Sequence, residues 1–134
     1  MAKQKKVEQE EIKLPILGKQ PKASRGTYVF LNPFGDEIFE VKSKVAIYWN
    51  GGPSTPHFVN LYFLDRTANS AIMKIANHIS YDGKLGMFQW IIPDSLPVFN
   101  NYAYLDHTHQ YDIYIENFQY PLIYYTYGPN FKIT

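Results

Sequence analysis

An all-β fold, an immunoglobulin-like antiparallel β-sandwich with an extended N-terminal arm, follows from three observations. Aromatic residues make up 17% of the 134, with 12 Tyr and 9 Phe, and such side chains suit pleated, half-buried surfaces. Short apolar runs recur at roughly 8–15-residue spacing, punctuated by Gly, Pro, Asn and Asp. Two of these runs, residues 45–49 and 87–92, carry the tryptophans Trp49 and Trp90 and stop at turns, Asn50-Gly51-Gly52-Pro53 and Pro93-Asp94.

The chain divides at its first strand. Residues 1–26 form an arm in which Pro15, Gly18, Pro21 and Gly26 interrupt any long helix, and Leu14, Ile16 and Leu17 are its apolar part. Residues 27–134 form the sandwich domain, long enough to bury most of its apolar surface. Tyr28-Val29-Phe30-Leu31 opens it and ends at Asn32-Pro33. Residues 38–41 make a short second piece. Residues 43–49 alternate, with Val45, Ile47 and Trp49 on one face and Lys44, Ala46 and Tyr48 on the other. Residues 58–64 follow the Gly-Gly-Pro-Ser-Thr-Pro loop, and 65–70 are a turn.

Residues 71–79 are ambiguous, because Ile72, Ile75, Ala76 and Ile79 match helical spacing. A strand with an irregular edge fits the sandwich better. After the turn at Asp82-Gly83-Lys84-Leu85-Gly86 comes the second tryptophan strand. Residues 93–101 read as a loop, 111–116 as the clearest strand of the chain, and 122–127 with Phe131 and Ile133 as the closing strands. Trp49 and Trp90 lie inside the alternation of their strands, so they are expected in the core.

The order of these elements resembles the fungal cell-wall KRE/KNH domain of Ser/Thr-rich GPI-anchored surface proteins. The matching stretches are Asn32-Pro33-Phe34-Gly35, Ile47-Tyr48-Trp49, residues 59–64, Phe88-Gln89-Trp90-Ile91-Ile92-Pro93, Tyr111-Asp112-Ile113-Tyr114-Ile115 and residues 128–133. Membership would imply an immunoglobulin-like sandwich, secretion and a role at a glucan-rich wall. The chain departs from that pattern in lacking a signal peptide, a Ser/Thr-rich tail and an Asn-x-Ser/Thr sequon.

Charge is unevenly spread. Residues 1–25 carry seven basic and three acidic side chains, whereas 26–134 carry six and nine. A basic arm on an acidic body suits docking on that body or on a copy of it. The body lacks the basic stripe that nucleic-acid binding needs. With no cysteine there is no disulfide or thiolate chemistry. Met1-Ala2-Lys3-Gln4-Lys5-Lys6 leads into glutamates, not an apolar core, so no signal peptide is read, and no run of 18 apolar residues spans a membrane. The location is open between a component of an assembly or virion and a secreted surface protein with a processed start.

Catalytic patterns are weak. His107 and His109, two apart, could share a metal with Asp106 or Asp112 on a strand, but two surface-loop histidines are the simpler account. Asp36, Glu37, Asp65, Asp82, Asp94, Asp112 and Glu116 could pair for glycoside hydrolysis, yet turn chemistry explains most of them. No nucleophile elbow, Walker loop or zincin helix motif is present. The tyrosine-rich stretch 120–127 would aggregate as an exposed strand unless covered. The expectation is therefore a non-enzymatic subunit of a larger assembly, a cell-surface layer or virus-like particle, needing no cofactor. It docks on other protein subunits, or on copies of itself, through Leu14, Ile16, Leu17, Tyr125 and Tyr127. The alternative is a carbohydrate-binding or wall-glucan assembly module.

Overall fold

The computed structural model describes residues 27–98 and 101–134; the arm, with Leu14, Ile16 and Leu17, lies outside them. Eleven strands and no helix make up the described chain. In order they are β1 (Tyr28–Asn32), β2 (Ile38–Phe39), β3 (Lys44–Gly51), β4 (His57–Asp65), β5 (Ser70–Tyr81), β6 (Gly86–Ile91), β7 (Ser95–Val98), β8 (Asn101–Tyr104), β9 (Tyr111–Asn117), β10 (Tyr125–Tyr127) and β11 (Lys132–Ile133).

Two antiparallel sheets form the layers of an all-β sandwich. One has the order β1-β3-β6 and the other β10-β9-β4-β5. Their facing sides supply the core: Tyr28, Phe30, Val45, Ile47, Trp49 and Trp90 from the first, Val59, Leu61, Phe63, Ile113 and Ile115 from the second. The period-2 pattern read at residues 45–49 is the reason Val45, Ile47 and Trp49 point inward together. Phe131 and Ile133 close one side of this core, where β11 runs parallel to β2.

Both tryptophans are core residues, with Trp49 fully buried and Trp90 nearly so. Opposite Trp49 in the ladder stands Gly86, and a Cβ there would collide with the Trp49 indole. The glycine is therefore required by the ring, not by the backbone.

One expectation holds and two change. Residues 71–79 form part of one long strand, β5, with three register irregularities against β4. One of them puts His78 in the left-handed region at φ 62°, and the Asn60 side chain accepts its N–H at 2.9 Å. These bulges are the source of the false helical spacing, because each shifts the inward phase by one residue. The stretch expected as a loop over 93–101 contains β7, which pairs with β8 as a hairpin. The closing strand shortens to β10, because residues 121–123 turn, with Ile123 and Tyr124 N–H both on the Tyr120 carbonyl.

The two ends of the sandwich differ. At one end lie Tyr28 and Gly51, His57 and Tyr81, Trp49 and Gly86, and Asn117 beside Val59. At the other lie the β4–β5 turn, residues 105–110 and the close of β11. The described chain enters β1 at the first end and leaves β11 at the second.

Candidate interaction site

Tyr125 and Tyr127 project from β10 onto the outer face of the four-stranded sheet. They meet Tyr114 of β9, with ring centroids 6.2 and 4.7 Å apart, and Tyr114 in turn meets Tyr62 of β4 at 5.9 Å. Tyr62 and Tyr114 are buried, while Tyr125 and Tyr127 are half-buried. Polar groups thread between the rings. Tyr62 Oη–H and Asn60 Nδ2–H both donate to Glu116 Oε2, at 2.8 and 3.0 Å. The Arg66 guanidinium lies 4.8 Å over the Tyr127 ring, and its Nε stands 3.6 Å from Asp112 Oδ2. Asp112 is 1% exposed, and its carboxylate oxygens have no hydrogen-bond partner among the described residues. Burial outweighs the nearby guanidinium and pushes this carboxyl up to about 8. The aromatic face expected from the sequence exists, therefore, but as an interlocked layer of rings and buried polar groups.

His107 and His109 go to different partners. His107 Nδ1–H donates to the Ile133 carbonyl at 2.9 Å. His109 is held between two carboxylates, Nδ1 at 2.8 Å from Asp65 Oδ2 and Nε2 at 3.1 Å from Asp106 Oδ2. The hydrogen bond to Asp65 is the main cause that raises its pKa. The carboxylates are also turn acceptors: Asp65 Oδ1 takes the Ala68 N–H, and Asp106 Oδ1 takes the Thr108 N–H and hydroxyl. Among the described residues no three His, Cys, Asp or Glu side chains form a metal-holding group.

Of the other acids, Glu37 and Asp82 serve turns as read, each accepting two backbone N–H groups. Asp112 and Glu116 do not; they are buried in β9.

Two surfaces were not singled out from the sequence. The first is a cleft of about 550 Å³ at the end of the sandwich where β4 begins and β9 ends, lined in part by His57, Phe58, His78, Asn117 and Phe118. The His78 ring lies between Phe58 and Phe118, with centroids at 4.1 and 4.2 Å. His57 Nδ1 must carry a proton, because it faces the Thr55 carbonyl at 2.7 Å. Its Nε2 then accepts from the Tyr28 hydroxyl at 2.8 Å. Phe118 and Tyr120 are about half exposed, and Leu122 and Ile123 more so. The legible signal was the absence of any charged residue over 117–131, since a solvated loop of that length ordinarily carries some.

The second surface is the outer face of β1-β3-β6. Its outward positions are Val29, Leu31, Lys44, Ala46, Tyr48, Asn50, Met87, Gln89 and Ile91. Val29 is 52% exposed, Leu31 44%, Met87 59% and Ile91 57%. A solvated sheet face normally alternates to polar side chains. This one does not.

Compared with known proteins, the chain matches no family model, no curated protein and no solved structure. Among the described residues no helix is long and apolar enough to cross a membrane.

Proposed function

We propose that this chain is a non-enzymatic assembly subunit that packs against further copies of itself through the open face of β1-β3-β6. The observation that carries this is the half-exposed Val29 and Leu31 on β1 and Met87 and Ile91 on β6, flanking Ala46 and Tyr48 of β3 on a face whose single charge, Lys44, stands at the end beside Ile91. Exposed apolar surface of this kind is what protein contacts use. A two-fold pairing across Ala46 and Tyr48 brings apolar side chains together and keeps the two lysines apart.

Three strands of five to eight residues make a face of roughly 15 by 20 Å. That is smaller than the ~800 Å² per partner of a stable interface. The pairing is accordingly weak, concentration-dependent and reinforced by other contacts. The basic arm, with Leu14, Ile16 and Leu17, and the rim at Tyr125 and Tyr127 are those contacts in this reading. The division into three and four strands supports the immunoglobulin-like description of the sandwich.

Sedimentation equilibrium over a concentration series tests the proposal. The average mass of the wild type is expected to rise with concentration, and that of Met87→Asp/Ile91→Asp to stay monomeric. A wild type that remains monomeric throughout overturns it.

The rival reading is a carbohydrate-binding or wall-glucan module, and the ring-lined cleft beside His57 and Asn117 is what favours it. Binding on a glycan array that is lost in Phe118→Ala would support the rival, and an empty array would remove it.

A further inference from the structure

The end of the sandwich where β4 begins carries a hole and a knob side by side. The hole is the cleft of about 550 Å³, walled by Phe58, His78 and Phe118. The knob is the connection after β9, which holds Leu122 and Ile123 out at 67% and 58% exposure. That connection is stiff. Asn117 Oδ1 accepts the Gln119 and Tyr120 N–H groups at 2.9 and 2.8 Å, the Tyr120 carbonyl accepts from Ile123 and Tyr124, and Phe118 N–H donates to the Phe58 carbonyl at 2.9 Å. The aliphatic pair is thus fixed in solvent beside the cleft, where collapse onto the body would ordinarily hide it.

The cleft suits an apolar occupant. Of its polar groups, His57 already lies between the Thr55 carbonyl and the Tyr28 hydroxyl, and Asn117 Oδ1 already holds two backbone N–H groups. The hydroxyls of a sugar would find these partners taken, whereas an aliphatic side chain against three rings needs none. A bilayer, being flat, would leave the concavity unfilled. Charge then favours a second copy. Residues 50–58 and 117–131 contain no Asp, Glu, Lys or Arg, so this end can meet itself without like-charge repulsion. In a two-fold contact each surface must be its own complement, and a knob beside a hole meets that condition.

We propose that this end of the sandwich pairs two copies reciprocally, with Leu122 and Ile123 of each seated against Phe58, His78 and Phe118 of the other. The inference rests on the assembly reading above and extends it. One two-fold face closes at a pair, and a second two-fold contact at the cleft end joins pairs into an open row. A loop and a cleft cover less than the ~800 Å² per partner of a stable interface. Between single copies the contact is therefore transient, and trapping reads it better than mass does.

Because the chain has no cysteine, introduced cysteines can trap the contact cleanly. Full-length Leu122→Cys is mixed with full-length Pro56→Cys, both with the circular dichroism spectrum of the wild type. Both also carry Met87→Asp/Ile91→Asp, so that the β1-β3-β6 face contributes nothing. The mixed disulfide is expected to form about tenfold faster than with Ala68→Cys, an exposed position in the turn at the opposite end. Ile123→Asp added to the Pro56→Cys copy is expected to slow trapping by a similar factor, because that copy's loop seats in its partner's cleft. Equal rates at Pro56 and Ala68 overturn the proposal, and a rate indifferent to Ile123→Asp overturns its reciprocity. Glycan binding that is lost in Phe118→Ala overturns it in favour of a sugar. None of these readouts depends on the wild type's sedimentation, so the end contact and the face pairing fail separately.

Discussion

Gly86 shows how one position can hold a fold by lacking a side chain. The Trp49 indole occupies the space a Cβ would need, and its buried Nε1–H finds no hydrogen-bond partner among the described residues. The ring is held by shape alone. Gly86→Ala must displace it into a core packed without slack, and overpacking of that kind costs about 1–3 kcal/mol or more. Urea denaturation followed by tryptophan fluorescence is expected to show that loss. Asp112 is the opposite case, a residue whose side chain the fold bears at a cost. Its folded pKa of about 8 lies above the ordinary carboxylate value, so the folded state binds the extra proton and stability falls as pH rises from about 4 to about 8. Asp112→Asn removes the titration. The stability of the variant relative to the wild type is expected to rise by about 1–3 kcal/mol between pH 5 and pH 8, as read by chemical denaturation at both values.

Between elements, His109 acts as a clasp. It ties residues 106–110 to the β4–β5 turn by a hydrogen bond to Asp65, and its attraction to both Asp65 and Asp106 is full only as the imidazolium. Its pKa is raised in the folded state. The stabilisation is therefore complete below the ordinary histidine value of about 6.5 and is lost as pH rises through the folded value. The stability difference between wild type and His109→Asn is expected to be largest near pH 5.5 and to narrow by pH 8.5. A difference that is flat over that range would show the clasp to be neutral.

The elements themselves were largely legible. Residues 43–49 alternate in the sequence because one face of β3 is core, and 58–64 are apolar apart from Asn60 because β4 is covered on both sides. Two were not. The β5 bulges wrote a helical period into a strand, and β7 carries Pro97, which argues against strand structure from sequence alone. The strict alternation of 111–116 also misleads about exposure, since every residue of β9 is buried. Its Asp112, Tyr114 and Glu116 are polar and yet covered, because Arg66, Tyr62 and Asn60 on neighbouring parts of the sheet meet them.

At the scale of the molecule, the sequence predicted a two-layer sandwich with tryptophans inside, and the sheets β1-β3-β6 and β10-β9-β4-β5 have that arrangement. The sites were much less legible. Tyr125 and Tyr127 could be read as a cluster because they are two apart on one strand. Phe58 and His78 belong to β4 and β5 and Phe118 follows β9, and only the register of β4 with β5 and β9 brings their rings together. The open face of β1-β3-β6 was equally hidden, because Met87 and Ile91 look like core residues until Trp90 takes the inward phase.

The chain threads the sandwich from pole to pole, entering at Tyr28 beside His57 and closing at Ile133 beside His107. With nine residues in β4 at about 3.3 Å each, those poles stand roughly 30 Å apart. A group joined after Thr134 would therefore start about one strand length from the point where the described chain enters β1.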